Sequence, residues 1–165
     1  FDVVKQKTVI AGILLLVTIP GINAGVRFIL DPATAPIPWS DSSQYINDWP
    51  AGWGIAEVKD YLSREANRGP IAVYTDGTFG LLPAGIELYL VDHPNVTIRG
   101  IWPLPEGEPS EMIADSLVKP TYFILNQTQV APPGWPVTLI AEYKKGVNTK
   151  DRKLRFYRVS PPASQ

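Results

Sequence analysis

The chain has 165 residues, with 15 Lys+Arg against 16 Asp+Glu, no Cys, one His and 17 Pro. Near-neutral charge argues against a general nucleic-acid binder, which carries a basic surplus, and the lack of Cys removes disulfides, thiolate metal ligands and thiol nucleophiles together. With 45% hydrophobic residues there is material for a real core, while His93 alone gives little basis for a His-based metal site or triad.

The first element is an apolar run. Thr8 to Val26 are 19 consecutive positions without a charge; as a helix rising about 1.5 Å per residue they reach about 28 Å, close to the ~30 Å hydrocarbon core of a bilayer. Pro20, Gly21 and Asn23 weaken the second half, yet membrane helices tolerate such residues. A signal peptide fits less well, because Ile22-Asn23-Ala24 is a poor cleavage site. The chain also starts with Phe1, so it reads as a piece of something longer. Lys5 and Lys7 precede the run, whereas Arg27 follows it close to Asp31, so the positive-inside tendency puts the start in the cytoplasm and everything after Leu30 outside. Residues 1–30 are therefore expected to be a transmembrane helix, the last of a multi-pass parent in the cell membrane. Residues 31–50 read as a Pro-rich linker and 51–160 as an extracytoplasmic domain.

Within that domain, Ile55, Val58, Tyr61, Leu62 and Ala66 recur at helical spacing, with Asp60 and Arg64 paired i, i+4 on the wet side. Gly69-Pro70 stops the helix and Ile71 to Tyr74 form an apolar strand. A loop over Asp76–Gly80 leads to a helix from Pro83 to His93-Pro94, and Val96–Ile101 alternate like a strand. Ser110 is placed to cap a helix carrying Met112, Ile113 and Leu117, which Pro120 ends; Thr121–Leu125 are a third strand. Val137–Tyr143 and Leu154–Val159, flanking Gly146-Val147-Asn148, read as an antiparallel hairpin. The expected fold is α/β: one three-layer domain with a mostly parallel sheet ending in a hairpin, preceded by one transmembrane helix.

Candidate ligand contacts follow from this order. Asp76, Gly77, Thr78 and Gly80 sit at the carboxyl end of a strand ahead of a helix, where α/β sheets place their ligands. The stretch lacks both the Gly-x-Gly-x-x-Gly and the Gly-Lys-Ser/Thr patterns, so a plain strand-to-helix turn is the first reading and a ligand contact the second. Trp49 and Trp53 lie in Pro- and Gly-rich connections. Loop Trp residues stack on sugars or anchor irregular segments to a core, and anchoring is the commoner use. Glu87 and Asp92 do not share a helix face with each other, which leaves no paired carboxylates for glycosidase chemistry. His93 reads as a helix-end residue. No catalytic residue and no metal ligand is identified.

The hairpin gathers Lys144, Lys145, Lys150, Arg152, Lys153, Arg155 and Arg158 against Asp151 alone. Of these, Lys144, Lys145, Lys153, Arg155 and Arg158 are candidates for contact with a membrane or a lipid phosphate; a charged edge that resists aggregation is the equal alternative. Asn95-Val96-Thr97 and Asn126-Gln127-Thr128 match the glycosylation sequon at a frequency chance supplies.

Trp49-Pro50-Ala51-Gly52-Trp53-Gly54, Thr75 through Leu90, and Lys119-Pro120-Thr121-Tyr122-Phe123-Ile124 together resemble the extracytoplasmic tail of polytopic GT-C glycosyltransferases of the protein-mannosyltransferase-like and aminoarabinose-transferase-like type. The resemblance covers residues 45 to 159, with the apolar run standing as the last membrane helix. It implies a parent enzyme that moves a sugar from a polyprenyl-phosphate carrier onto a glycan, lipid or protein acceptor outside the membrane. The family's catalytic carboxylate and metal contacts lie in early loops that this sequence does not contain. The resemblance therefore implies a non-catalytic fragment that assists acceptor binding or structure; it needs no cofactor of its own, any divalent metal belonging to the membrane domain. The alternative is a free-standing membrane-anchored module, either carbohydrate-binding or structural.

Overall fold

A computed structural model describes residues 3–78, 80–146 and 150–161. The chain divides into two units, residues 1–42 and 43–165. The first is dominated by helix α1 (Val3–Leu30), which carries Pro20 within it. Its window from Lys5 to Leu30 is long and apolar enough to cross a membrane, and none of it is buried. Leu14, Leu15, Leu16, Val17 and Ile29 are all exposed. So much bare apolar surface on one helix is stable only in an apolar surrounding. A 3-10 turn at Pro32–Thr34 and a helical turn, α2 (Trp39–Asp41), follow.

The second unit is a five-stranded sheet with helices on both faces. Its strands are β1 (Ile71–Asp76), β2 (Val96–Ile101), β3 (Thr121–Leu125), β4 (Val137–Lys144) and β5 (Lys153–Val159); its helices are α3 (Ile55–Ala66), α4 (Ala84–Leu90) and α5 (Ser110–Val118). The order across the sheet is β2-β1-β3-β5-β4. β1 pairs in parallel with β2 and β3, and β5 runs antiparallel to both of its neighbours. β5 alone is therefore reversed, and β1, β2, β3 and β4 all end at the same edge.

The strict alternation of each inner strand splits the core in two. Ile71, Val73, Tyr122, Ile124, Leu154 and Phe156 point to one face, where Ile55, Val58, Leu62 and Ala66 of α3 and Ile86 and Leu90 of α4 cover them. Ala72, Tyr74, Phe123, Leu125, Tyr157 and Val159 point to the other, beneath Met112 of α5 and Trp135. The expected three layers and the closing hairpin are present. β1 and β3 are buried along their whole length, as strands covered on both faces must be.

Three local details differ from expectation. Pro109, in extended conformation, holds the position ahead of α5, so Ser110 is the first helical residue and caps nothing. Asp60 pairs with neighbouring Lys59, while the Arg64 guanidinium lies over the Tyr61 ring at 5.9 Å. Residues 43–50, read as linker, belong to the compact unit. Polar side chains from the loop after β3 and from the hairpin connection hold them there. Val147 and Asn148 of the expected hairpin turn lie outside the described residues.

Candidate functional site

Three parallel strands ending side by side decide where a ligand can sit. Asp76 is paired with Ile101 across β1 and β2, and Thr75 with Ile124 across β1 and β3. The residues just beyond these ends, Gly77, Trp102 and Asn126, therefore emerge together. With Trp49, Leu82, Gln127 and Gln129 they line, around Asp76, a cleft of about 220 Å³. Close approach at this edge requires small residues: a Cβ at Gly100 would collide with the Gly77 carbonyl oxygen, whose own N–H donates to Ile101 O at 2.9 Å.

Polar contacts fasten the wall made by residues 46–51. Asn126 Nδ2 donates to Trp49 O at 3.0 Å, and Lys145 Nζ donates to Trp49 O at 2.9 Å and Ala51 O at 2.8 Å. Gln127 Nε2 donates to Asp48, and Arg152 donates to Asn47 O at 3.3 Å and faces Asp48 Oδ1 at 3.4 Å. The Trp53 indole N–H donates to Ile46 O at 2.6 Å. Arg155 braces the opposite loop from beneath, donating to Gln127 O at 3.1 Å and Gln129 O at 2.7 Å. That loop turns at Gln127, whose φ of 58° is left-handed, a conformation costing about 1–3 kcal/mol that only such surrounding contacts maintain.

Two ionisable groups are displaced from their ordinary behaviour. Burial pushes the Asp76 carboxyl up to about 6, against the pull of the Asn126 N–H and of the Lys145 charge. Burial pushes Lys145 down to about 8, opposed by the charges of Asp76 and Asp48. Oδ2 of Asp76 accepts from the Asn126 N–H at 3.0 Å. Asp76 Oδ1, Asn126 Oδ1 and Thr75 Oγ1, all buried, have no hydrogen-bond partner among the described residues. A buried acceptor left unmatched costs about 1–3 kcal/mol, so the edge has acceptor capacity to offer a ligand.

Of the sequence-derived candidates, Trp49, Asp76 and Gly77 line the cleft. Gly80 supports it at one remove: its φ is +85°, and the Trp49 ring lies where a Cβ would project. Thr78 sits beside Gly100 without lining the cleft, and Trp53 serves as an anchor. Sequence reasoning gave no ligand-binding role to Trp102, Asn126, Gln127 or Gln129, and it set Lys145 at a membrane or lipid phosphate, whereas the structure puts its ammonium on the carbonyls of Trp49 and Ala51. Trp102 and Asn126 directly follow expected strands, but that the ends of β2, β3 and β4 meet at the end of β1 is set by the sheet order, which no local signal carries. Burial of Asn126 also removes its sequon from the accessible surface.

The basic hairpin does not form one exposed stripe. Lys145 and Arg155 are buried, and Lys153 and Arg155 share Glu142. Only Lys144 and Arg158 of the five candidates are exposed. Antiparallel pairing sets Glu142 opposite Arg155 and turns alternate cations inward. Among the described residues, no three His, Cys, Asp or Glu side chains gather into a metal-holding group.

Compared with known proteins, the chain matches no family model, no curated protein and no solved structure.

Proposed function

We propose that this chain is the membrane-anchored, extracytoplasmic portion of a GT-C-type glycosyltransferase, contributing acceptor binding rather than catalysis. The observation that carries this reading is the cleft at the carboxyl edge of the sheet. Two indoles flank it, two glutamine amides line it, and a carboxylate and an asparagine form its floor. Aromatic faces beside hydrogen-bonding side chains suit a sugar ring, which is apolar on its C–H faces and polar at its rim. The apolar helix ahead of the domain would tether it to the membrane, and a polyprenyl-phosphate sugar would be the donor in the parent enzyme.

The test uses the full chain in lipid nanodiscs. Neutral methyl pyranosides should bind at millimolar concentration, and Trp49→Ala should abolish binding. The chain alone should transfer no sugar from a polyprenyl-phosphate donor. Absence of sugar binding would sink the reading, as would transfer by the fragment alone.

A further inference from the structure

The cleft's chemistry goes further than its shape, and this step rests on the sugar-binding reading above. Asp76 is the only ionisable group among the cleft-lining residues. The nearest cation, Lys145, is wholly buried and directs its ammonium to the carbonyls of Trp49 and Ala51. Behind it, Asp48 is engaged by Arg152 and Gln127, and Arg155 is committed to Gln127 O, Gln129 O and Glu142. The floor thus presents acceptors, and the cations around it already face main-chain carbonyls or acids. Asp76 and Asn126 are only 7% and 8% exposed, and each keeps one side-chain oxygen with no partner among the described residues.

We propose that the cleft takes the diol edge of a single neutral sugar ring, two hydroxyls donating to Asp76 Oδ1 and Asn126 Oδ1, and rejects phosphorylated or carboxylated sugars. Two unmatched acceptors at neighbouring strand ends ask for two donors, which a vicinal diol supplies, while a phosphate or carboxylate carried on the same ring adds a negative charge that the Asp76 carboxylate repels. A volume of about 220 Å³ lies below the roughly 300–1,000 Å³ of drug-sized sites, which limits the occupant to about one ring. The site therefore reads the acceptor side of the reaction, because the donor brings phosphate.

The two oxygens have almost no accessible surface, so a hydroxyl reaches them only as the rim shifts. Tryptophan emission is thus the natural readout. Trp49, which rests against Gly80, is 43% exposed and shares the rim with Trp102, which is 60% exposed, so Trp49→Phe is needed to assign an emission change to Trp49. Protonation of Asp76 removes its negative charge and leaves the Lys145 charge behind it, so discrimination against anions should weaken as pH falls through about 6.

The experiment titrates the full chain in nanodiscs, following tryptophan emission with Trp49→Phe as control. The probes are methyl glucopyranoside, glucuronate, glucose 1-phosphate and inorganic phosphate. At pH 7.5 the neutral glycoside should bind at least ~10-fold tighter than any anion, a gap of about 1.4 kcal/mol, and the gap should narrow at pH 5. Asp76→Asn and Asn126→Ala, with circular dichroism as fold control, should each weaken the glycoside ~10-fold or more. Equal or tighter binding of glucuronate or phosphate by the unmodified chain overturns this inference while leaving sugar binding intact. So does glycoside binding indifferent to both substitutions. Failure of every probe to bind overturns it together with the sugar-binding reading.

Discussion

The main-chain N–H of Asn126 donates to the Asp76 carboxylate at 3.0 Å, joining residues 50 positions apart in sequence. This bond stitches the end of β3 to the end of β1 and fixes the floor of the cleft. It stabilises the carboxylate, yet burial outweighs it and the Asp76 carboxyl sits at about 6 against a reference of 3.8. The folded state therefore holds a proton that the unfolded chain has released between about pH 4 and 6. Stability consequently rises as pH falls through that window, and ionisation above it costs about 3 kcal/mol at about 1.4 kcal/mol per unit of displacement. Asp76→Asn should flatten this part of the profile, measured as denaturant midpoint against pH, and a rise in the wild-type midpoint from pH 4 to 6 that vanishes in Asp76→Asn would contradict the assignment.

Lys145 holds the Trp49 wall in place and also supplies the positive charge nearest Asp76. Lys145→Met removes a donor from two carbonyls and leaves a buried carboxylate without its counter-charge. Stranding a buried acceptor in this way costs about 1–3 kcal/mol. The expected results are a loss of that order in chemical denaturation and an Asp76 titration midpoint above about 6, read by carboxyl NMR. Unchanged values for both would mean that the ammonium contributes nothing to the wall.

Gly80 combines a φ of +85° with direct contact against the Trp49 ring. Gly80→Ala should cost about 1–3 kcal/mol in backbone strain and should push the indole outward, shifting Trp49 emission. Trp49→Ala relieves only the second effect. A double-mutant cycle should therefore show coupling of about 0.5–3 kcal/mol; strict additivity would show that the ring does not rest on this glycine.

Trp135 and Trp102 separate the two uses of loop tryptophans. Trp135 is buried against Phe123, with ring centroids 5.4 Å apart, and its indole N–H donates to Glu106 O at 3.3 Å. Trp135→Ala should cost about 3–5 kcal/mol, as large core deletions do. Trp102 is 60% exposed at the cleft, and Trp102→Ala should stay within about 1 kcal/mol in stability while weakening sugar binding. Thermal melts paired with titration distinguish the two. Comparable destabilisation by both would leave Trp102 as a mere anchor.

Much of this architecture was written in local pattern. The spacing of Ile55, Val58, Leu62 and Ala66 marks the buried stripe of α3, and the apolar runs of β1 and β3 mark strands covered on both faces. Asp76 and Gly77 were legible because a strand end followed by glycine is a local signal. Asn126 and Lys145 were not, since their roles depend on β3 and β4 ending beside β1, a fact of sheet order rather than of neighbouring residues. The hairpin misled for a related reason. Lys145 and Arg155 look like members of a surface stripe, and only strand pairing shows which cations turn inward to hold loop carbonyls.

The absence of Cys from the sequence makes topology directly measurable. Lys5 and Lys7 ahead of the apolar stretch should keep the start of α1 in the cytoplasm and put the α/β unit outside. In intact cells, a membrane-impermeant maleimide should label Ser110→Cys, an exposed position, and should spare Gln6→Cys, which leaves both lysines in place, until the membrane is opened. Leu15→Arg, midway along the apolar window, should add about 2.5–3.5 kcal/mol to the cost of insertion and shift the chain toward the carbonate-soluble fraction. Labelling of Gln6→Cys from outside would reverse the orientation. A Leu15→Arg chain that stays membrane-bound as tightly as the wild type would show that α1 does not cross lipid at that residue.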